Sequence, residues 1–431
     1  MSTVKTTLLL GALAICGAQT TAAFSDSIFQ KALSQFGRKI FNEILTNDGP
    51  QNIILSPFAI QSCLTMLQMG ADGQTAEQLQ RGLNFANINR EQLTSNYHSI
   101  LAKYQQGDIL KIANKIYVMQ NEELRDDYNE ILSQNFYTTA ENIDFTQVEN
   151  ATAAINTWIA SKTNNMIRDL ITEDSISPYT RLYILSAIYF NGKWAKAFPK
   201  ESTKEEYFYL DTKNFRKIQM MRVQSKFKFG FVDELEASAV ILPYEDIDLS
   251  MLIILPNAID GLANITRKLQ NIELSSLIAR KVKYAMEVDL QMPKFKAEFK
   301  IKLSDILKKV GLLLIRIIKL HTLDSSEKYR KFKFLPIRDM SILRMGMAKM
   351  FSSRNFGKML KSPGPLALSE VIHQASIEIN EEGTKAAAVA AADAYLRSSL
   401  PVFDFKVNRP FYYAIINEDF IPFFEGTFVG V

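Results

Sequence analysis

The chain has 431 residues, 47% of them apolar, 22% charged and 11% aromatic, with 50 Lys+Arg against 46 Asp+Glu and a formal charge of +4. That balance excludes a disordered chain, a collagen and a disulfide-dense miniprotein, and the length suits one large mixed domain or two to three smaller ones. The basic excess invites a polyanion partner, a reading that the distribution of charge along the chain has to support.

Residues 1–23 carry one basic residue, Lys5, then an apolar run from Leu8 to Ala18 and the small-residue exit Thr21-Ala22-Ala23. This is the pattern of a cleaved secretion signal, since the run is roughly half of the ~20 residues a membrane span needs. A soluble, extracellular mature chain starting at residue 24 is expected. Cys16 leaves with the leader, so Cys63 has no partner for an internal disulfide. It sits in an apolar, helix-like stretch with Ile60, Leu64 and Leu67, where a thiol packs as a small hydrophobe. Asn150-Ala151-Thr152 and Asn264-Ile265-Thr266 are glycan acceptor sequons at Asn150 and Asn264.

After Ser25 and Asp26, the residues Phe29, Leu33, Phe36, Ile40 and Ile44 recur at helical spacing. A second helix is expected after Ser56-Pro57, and a third from about Asn150, with Ile155, Ile159, Met166 and Leu170 on one stripe and Trp158 beside it. Leu182 to Phe190 is apolar except for Ser186, as in a strand covered on both faces. Val240–Leu242 and Met251–Leu255 flank the polar turn Glu245–Asp248. Between Val282 and Met292 the even positions are apolar and the odd ones mostly charged, and Phe403, Phe405 and Val407 alternate with polar residues in the same way. Helices early and strands late, without regular alternation, give an α+β class. No Gly/Ser/Pro-rich linker divides the chain.

One segment is irregular. Ile306-Leu307-Lys308-Lys309-Val310-Gly311 is echoed by Ile342-Leu343-Arg344-Met345-Gly346, and residues 311–345 between the joins hold eight basic residues and three acidic ones. Removing the leader's single positive charge and this segment's net five turns +4 into about −2, so the apparent basicity belongs to two atypical stretches.

Enzyme chemistry is hard to place. The histidines are His98, His321 and His373, and the chain contains no Gly-x-Ser-x-Gly elbow, no His-Glu-x-x-His and no phosphate loop. No catalytic residue, metal site or cofactor is expected. The unusual stretch begins at Glu381 and reads EEGTKAAAVAAADAYLRSSL. Alanine favours a helix, but parity points elsewhere. Thr384, Ala386, Ala388, Ala390, Ala392 and Ala394 form an all-small even side, while Lys385, Asp393 and Tyr395 are odd. Such a strand can slide between two existing strands, burying its small face, with Gly383 as a pivot.

The chain resembles the serpins over essentially its whole mature length. The resemblance rests on Asn52 to Ile60 (NIILSPFAI), Gly70 to Thr75, Ser186 to Trp194, Met292-Pro293-Lys294-Phe295, Val371 to Ala375, Glu381-Glu382-Gly383-Thr384 and Asn408-Arg409-Pro410-Phe411, in order. It implies a single domain over 24–431, an α+β serpin fold of about nine helices and three β-sheets, and 311–345 as an atypical insertion. It also implies a reactive-centre loop over 381–400 with the scissile bond at Arg397-Ser398, where arginine suits trypsin-like proteases. The protease would attack the Arg397 carbonyl, and the cut loop would insert into the large sheet before the acyl-enzyme is hydrolysed. About ten new backbone hydrogen bonds at roughly 1 kcal/mol each give on the order of 10 kcal/mol, comparable with a domain's stability.

By the same resemblance Ser56 and His373 belong to the shutter behind the parting strands and Trp194 to the breach at the loop's entry. Ser186 stands where the family usually has asparagine, which puts the usual shutter hydrogen bonding in doubt. His373 shares odd parity with Ala375, Ile377 and Ile379, which independently predicts burial. The expected partner is a trypsin-like serine protease in a covalent complex. A monomer is expected, without nucleic acid or membrane. Heparin is not expected as a partner, because Arg90 to Lys103 offers only those two basic residues where heparin-dependent members carry several. The alternative is a non-inhibitory serpin acting as a carrier, storage or chaperone protein. Such members tend to carry bulky or charged hinge residues, which this chain lacks.

Overall fold

The computed structural model describes residues 28–45, 51–105, 107–304, 306–307, 347, 349–352, 355–362, 364, 366–383 and 401–430. The expected leader, the 311–345 segment and the loop residues 384–400 lie outside the described residues.

Helix α1 (28–45) buries Phe29, Leu33, Phe36, Ile40 and Ile44, as their spacing requires. Helix α2 (Pro57–Met69) starts where expected, because the Ser56 hydroxyl accepts from the Ala59 amide at 3.0 Å and Pro57 occupies the first turn. It is buried at every position except Gln68, so it runs through the core. Helices α3 (Gly73–Gly82), α4 (Arg90–Gln105), α5 (Asp126–Phe136) and α6 (Val148–Lys162) follow, with α7 (Leu262–Leu269) and α8 (Leu274–Lys281) later in the chain. Among the described residues no helix is long and apolar enough to cross a membrane.

The third helix is shorter than its apolar stripe suggests. It ends at Lys162, where Asn164 and Asn165 turn the chain through left-handed conformations that asparagine tolerates. Ile155 and Ile159 lie on its buried face, whereas Met166 and Leu170 follow it in irregular chain, with Leu170 still fully buried.

A five-stranded sheet has the order β10 (Phe295–Lys302), β11 (Glu370–Ile379), β4 (Leu182–Phe190), β2 (Leu110–Met119), β3 (Ala140–Ile143). Strand β4 is buried at all nine positions because it is covered twice. Ile184, Ile188 and Phe190 enter the main core with α2, and Tyr183, Leu185 and Ala187 enter a second core with Ile155 and Ile159 of α6. This explains a run that is apolar but for Ser186.

The remaining strands form a nine-stranded network in the order β1 (Ile53–Leu55), β14 (Pro422–Phe428), β13 (Phe411–Ile416), β8 (Ser250–Pro256), β7 (Ala237–Pro243), β6 (Phe215–Val232), β9 (Ala285–Pro293), β12 (Phe403–Lys406), with β5 (Lys204–Tyr209) also on β6. The three implied sheets therefore appear as two hydrogen-bonded networks. The reason is β6, which pairs with β5 and β9 along its first part and with β7 at its end. The alternation from Val282 yields a strand only from Ala285: Val282 caps α8 and is buried, and Tyr284 is exposed.

One buried acid stands out. Glu425 on β14 is 4% exposed, and burial raises its carboxyl to about 7, opposed by Arg38 of α1 and by the Tyr412 hydroxyl on β13. An acid whose folded value lies above its unfolded one near 4.5 favours the native state at low pH, and that advantage fades as pH rises from 4.5 to about 7. The difference is on the order of 3 kcal/mol. Glu425→Gln should therefore gain thermal stability relative to the parent as pH rises through this window, measured as Tm from pH 4.5 to 8. A difference that stays flat would contradict the burial described.

Candidate functional site

Strands β11 and β4 pair in parallel, Glu370 opposite Tyr183 through Ile377 opposite Phe190. Parallel ladders use slanted bonds and are slightly weaker per residue than antiparallel ones. Helix α2 lies across this seam and touches strands on both sides of it. The Ser56 amide donates to His373 Nε2 at 3.0 Å, the Asn114 amide group donates to the Ala59 carbonyl at 3.1 Å, and the Cys63 thiol reaches the Leu185 carbonyl at 3.4 Å. Burial pushes the Cys63 thiol well up and keeps it protonated.

His373 and Ser186 face each other in register across the seam, with Nδ1 and Oγ 3.1 Å apart. Because Nε2 accepts from Ser56, the proton of the neutral ring sits on Nδ1 and is donated to the Ser186 hydroxyl. The serine at 186 thus completes the cluster that its departure from asparagine had put in doubt, and Asn114 follows it in register on β2. His373 is fully buried, and burial lowers it to about 3, with the Ser186 contact opposing. The imidazole is a structural connector. His98 lies elsewhere, exposed and bonded to the Gln134 carbonyl, and His321 is outside the described residues.

At the end of the seam the chain reverses. Asn380 and Gly383 exchange both backbone bonds, at 2.9 and 3.2 Å, around Glu381-Glu382. Gly383 also bridges Lys193 in antiparallel fashion, so it already lies between the continuations of β11 and β4. More than a pivot is required there. The φ of Gly383 is +121°, and a Cβ would run into the Gly192 carbonyl oxygen and lie 2.6 Å from Lys193 Cα.

The turn is anchored on all sides. The Trp194 amide donates to the Glu382 carbonyl at 3.0 Å, its indole donates to the Asn380 carbonyl at 2.9 Å, and its ring stacks on Tyr244 with centroids 4.4 Å apart. The Phe198 amide donates to the Glu381 carbonyl at 2.8 Å. Glu381 accepts from Thr203 at 2.9 Å and Lys294 at 3.0 Å, and Glu382 pairs with Lys200. Burial tends to raise the Glu381 carboxyl, but a backbone amide, Lys294 and Thr203 together hold it below the usual range. Asn380, Thr203, Lys200, Tyr244 and Asn114 were not legible as site residues. Lys294 was visible only within its motif, because its partner lies 87 positions away. Of the expected hinge, Glu381, Glu382 and Gly383 are placed here, while Thr384, Ala386, Ala388 and Ala390, with Arg397 and Ser398, lie outside the described residues.

Of the two sequons, Asn150 is exposed in the first turn of α6, and Asn264 is half-buried in α7 with its side-chain oxygen accepting from Arg267. No metal-ligating cluster occurs among the described residues.

The profile of the family described as serpin (serine protease inhibitor) matches residues 31–325 and 339–430, leaving 326–338, inside the irregular segment, unmatched. The chain is 30% identical to the antitrypsin of Bombyx mori over 99% of its own length and all of that protein, and 30% identical to the alaserpin of Manduca sexta over 97% of each. Among solved structures it is similar to cleaved Serpin 42Da, with a TM-score of 0.78 at 33% identity over 94% of this chain and 99% of that one. It is similar to Serpin48 of Tenebrio molitor at a TM-score of 0.77 and 25% identity, over 94% of this chain and 99% of that one. The chain belongs to the serpin family. Its named relatives are serine protease inhibitors, in keeping with a protease inhibitor rather than an enzyme.

Two outcomes follow from this geometry. The unfolded state protonates histidine near 6.5 while native His373 stays neutral to about 3, so its contribution is complete above 6.5 and fades as pH falls toward 3. Replacing it by glutamine should flatten the acid-side fall of Tm, and an unchanged pH profile would contradict the burial. Gly383→Ala should cost about 1–3 kcal/mol in denaturant unfolding, from backbone strain and collision with the Gly192–Trp194 backbone.

Proposed function

We propose that this serpin is a secreted, irreversible inhibitor of trypsin-like serine proteases, cleaved at Arg397-Ser398 and trapping its target by insertion of the loop between β11 and β4. The observation that carries the reading is Gly383, seated between Asn380 and Lys193. Continuing those two antiparallel pairings by one residue at a time sets Thr384 opposite Ile379, Ala386 opposite Ile377 and Phe190, and Ala388 opposite Ala375 and Ile188. Residues opposite one another share a face. The small even side would therefore meet the main core that already holds Ile377, Ala375, Phe190 and Ile188. Lys385 and Asp393 would fall on the other side, Lys385 opposite Glu378.

An inserted strand runs antiparallel to both neighbours and replaces one parallel ladder with two antiparallel ones, which supplies the driving force. It would bring Ala390 between His373 and Ser186, so their hydrogen bond has to break for the sheet to open that far. The leader-like residues 1–23 support secretion, and Asn150 is the sequon better placed for a glycan. The basic residues of α4 are engaged within the protein, Arg90 with the Met69 carbonyl and Lys103 with Asp248, which speaks against a heparin stripe there.

Mixing the protein with trypsin should give an SDS-stable complex of the two chains. Thr384→Arg, with a charge on the inserting face, should shift the outcome to cleavage without complex. Cleavage without complex by the parent would assign the chain to the non-inhibitory serpins, and unchanged complex yield from Thr384→Arg would count against the insertion register.

A further inference from the structure

The geometry points to an aromatic docking surface, formed by Phe231, Tyr284, Val402 and Phe403, that the primed-side rim of a docked trypsin-like protease covers. This rests on the inhibitory reading above. Phe231 is 57% exposed, Tyr284 65% and Val402 49%, on three different stretches of chain that converge at one end of the β6–β9–β12 sheet. Tyr284 faces Phe229 across the ladder, its carbonyl accepting the Phe229 amide at 3.2 Å. Phe231 lies 5.2 Å from the Phe229 ring and 6.3 Å from Phe403, and Phe229 is itself packed 5.2 Å from Phe403 and 5.8 Å from Phe405. An alternating strand ordinarily turns such a face inward, as it does for Phe227, Phe229 and Phe405, which are all buried. Here the same face continues past the core into solvent.

Exposed aromatics that converge in one patch mark interaction sites more often than scattered ones do. The Phe231 and Phe403 rings are also held in place by the buried Phe229, so little side-chain freedom is lost when a partner covers them. Tyrosine and other aromatic anchors carry much of the energy of protein interfaces.

The occupant follows from chain length. The chain re-enters the described structure at Pro401, next to Val402, and Ser398 lies four residues before Val402. Four residues of extended chain reach at most about 14 Å. A protein bound with about 800 Å² of its surface covers a disc of roughly 16 Å radius, so a protease centred on Arg397-Ser398 reaches Val402 and Phe403, whose ring lies 6.3 Å from Phe231, and Tyr284 marks the outer edge of the patch. Residues after the cut occupy the protease's primed side, and it is that rim which lies toward Val402.

The test uses the full-length protein and trypsin. Phe231→Ser, Tyr284→Ser and the double variant change exposed side chains and are checked for unaltered Tm. The double variant should form SDS-stable complex about tenfold more slowly, with unchanged final yield, because the patch acts on docking and not on insertion. With anhydrotrypsin, which docks without cleaving, hydroxyl-radical oxidation of Phe231 and Tyr284 should drop. Equal rates together with unchanged oxidation overturn the surface while leaving the inhibitory reading intact. Absence of any stable complex from the parent overturns that reading, and the anhydrotrypsin footprint then decides the surface by itself: protection upholds it, no protection removes it. A dimer of the free protein that the double variant abolishes assigns the face to a second copy and overturns the protease assignment.

Discussion

The site in this fold depends on the hydrogen bond between His373 and Ser186, because it crosses the parallel pair β11–β4 near the middle of the five-stranded sheet. A neutral imidazole suits that position. It accepts from the Ser56 amide on one side and donates to the serine on the other, so a single side chain ties α2, β11 and β4 together without burying a charge. A charged residue there would have to be desolvated each time the sheet closed. A purely apolar one would leave the Ser56 amide unpaired.

The other end of the seam is organised differently. At Gly383 the backbone is already in place between Asn380 and Lys193, fixed by the N–H groups that Trp194 and Phe198 donate to the carbonyls of the turn. The first residue of a further strand is thus seated, and the next positions are closed by the β11–β4 ladder. Entry and resistance are separated along the seam: the entry is held by many local contacts, the resistance by a few bonds in its middle. Lys200 and Lys294, which hold the two glutamates of the turn, come from other stretches and fix the angle at which the chain enters.

How much of this the residues disclosed depends on range. The buried strand β4 was legible because both of its faces are covered and its composition shows it, and the burial of His373 followed from parity alone. The helix near Asn150 ends short of its apolar stripe, because the stripe continues past a break that two asparagines impose through backbone conformation. Periodicity reports which side is buried, and Leu170 is buried; it does not report whether the chain between is helical. The anchors of the turn escaped for another reason. Thr203 and Lys200 meet Glu381 and Glu382 across nearly 180 positions or more, and a single chain carries no local trace of such pairings, whereas Trp194 was legible through its motif. Gly383 suggests conformational freedom in the sequence, whereas the structure requires it for the close approach of the Gly192–Trp194 backbone.

Two buried titratable groups, His373 and Glu425, act against each other. Native His373 refuses a proton that the unfolded chain accepts below about 6.5, so acid weakens the fold through it. Native Glu425 keeps a proton up to about 7 that the unfolded chain has lost by then, so acid strengthens the fold through it. Between about pH 4.5 and 6.5 the slopes have opposite sign and partly cancel. Glu425 sits on β14 of the nine-stranded network, facing Arg38 of α1, whereas His373 sits on the seam of the five-stranded sheet. Acidification therefore weakens the native state through the seam and strengthens it through the contact of β14 with α1, so an unfolding measurement on the parent protein reads the two together and only the single variants separate them.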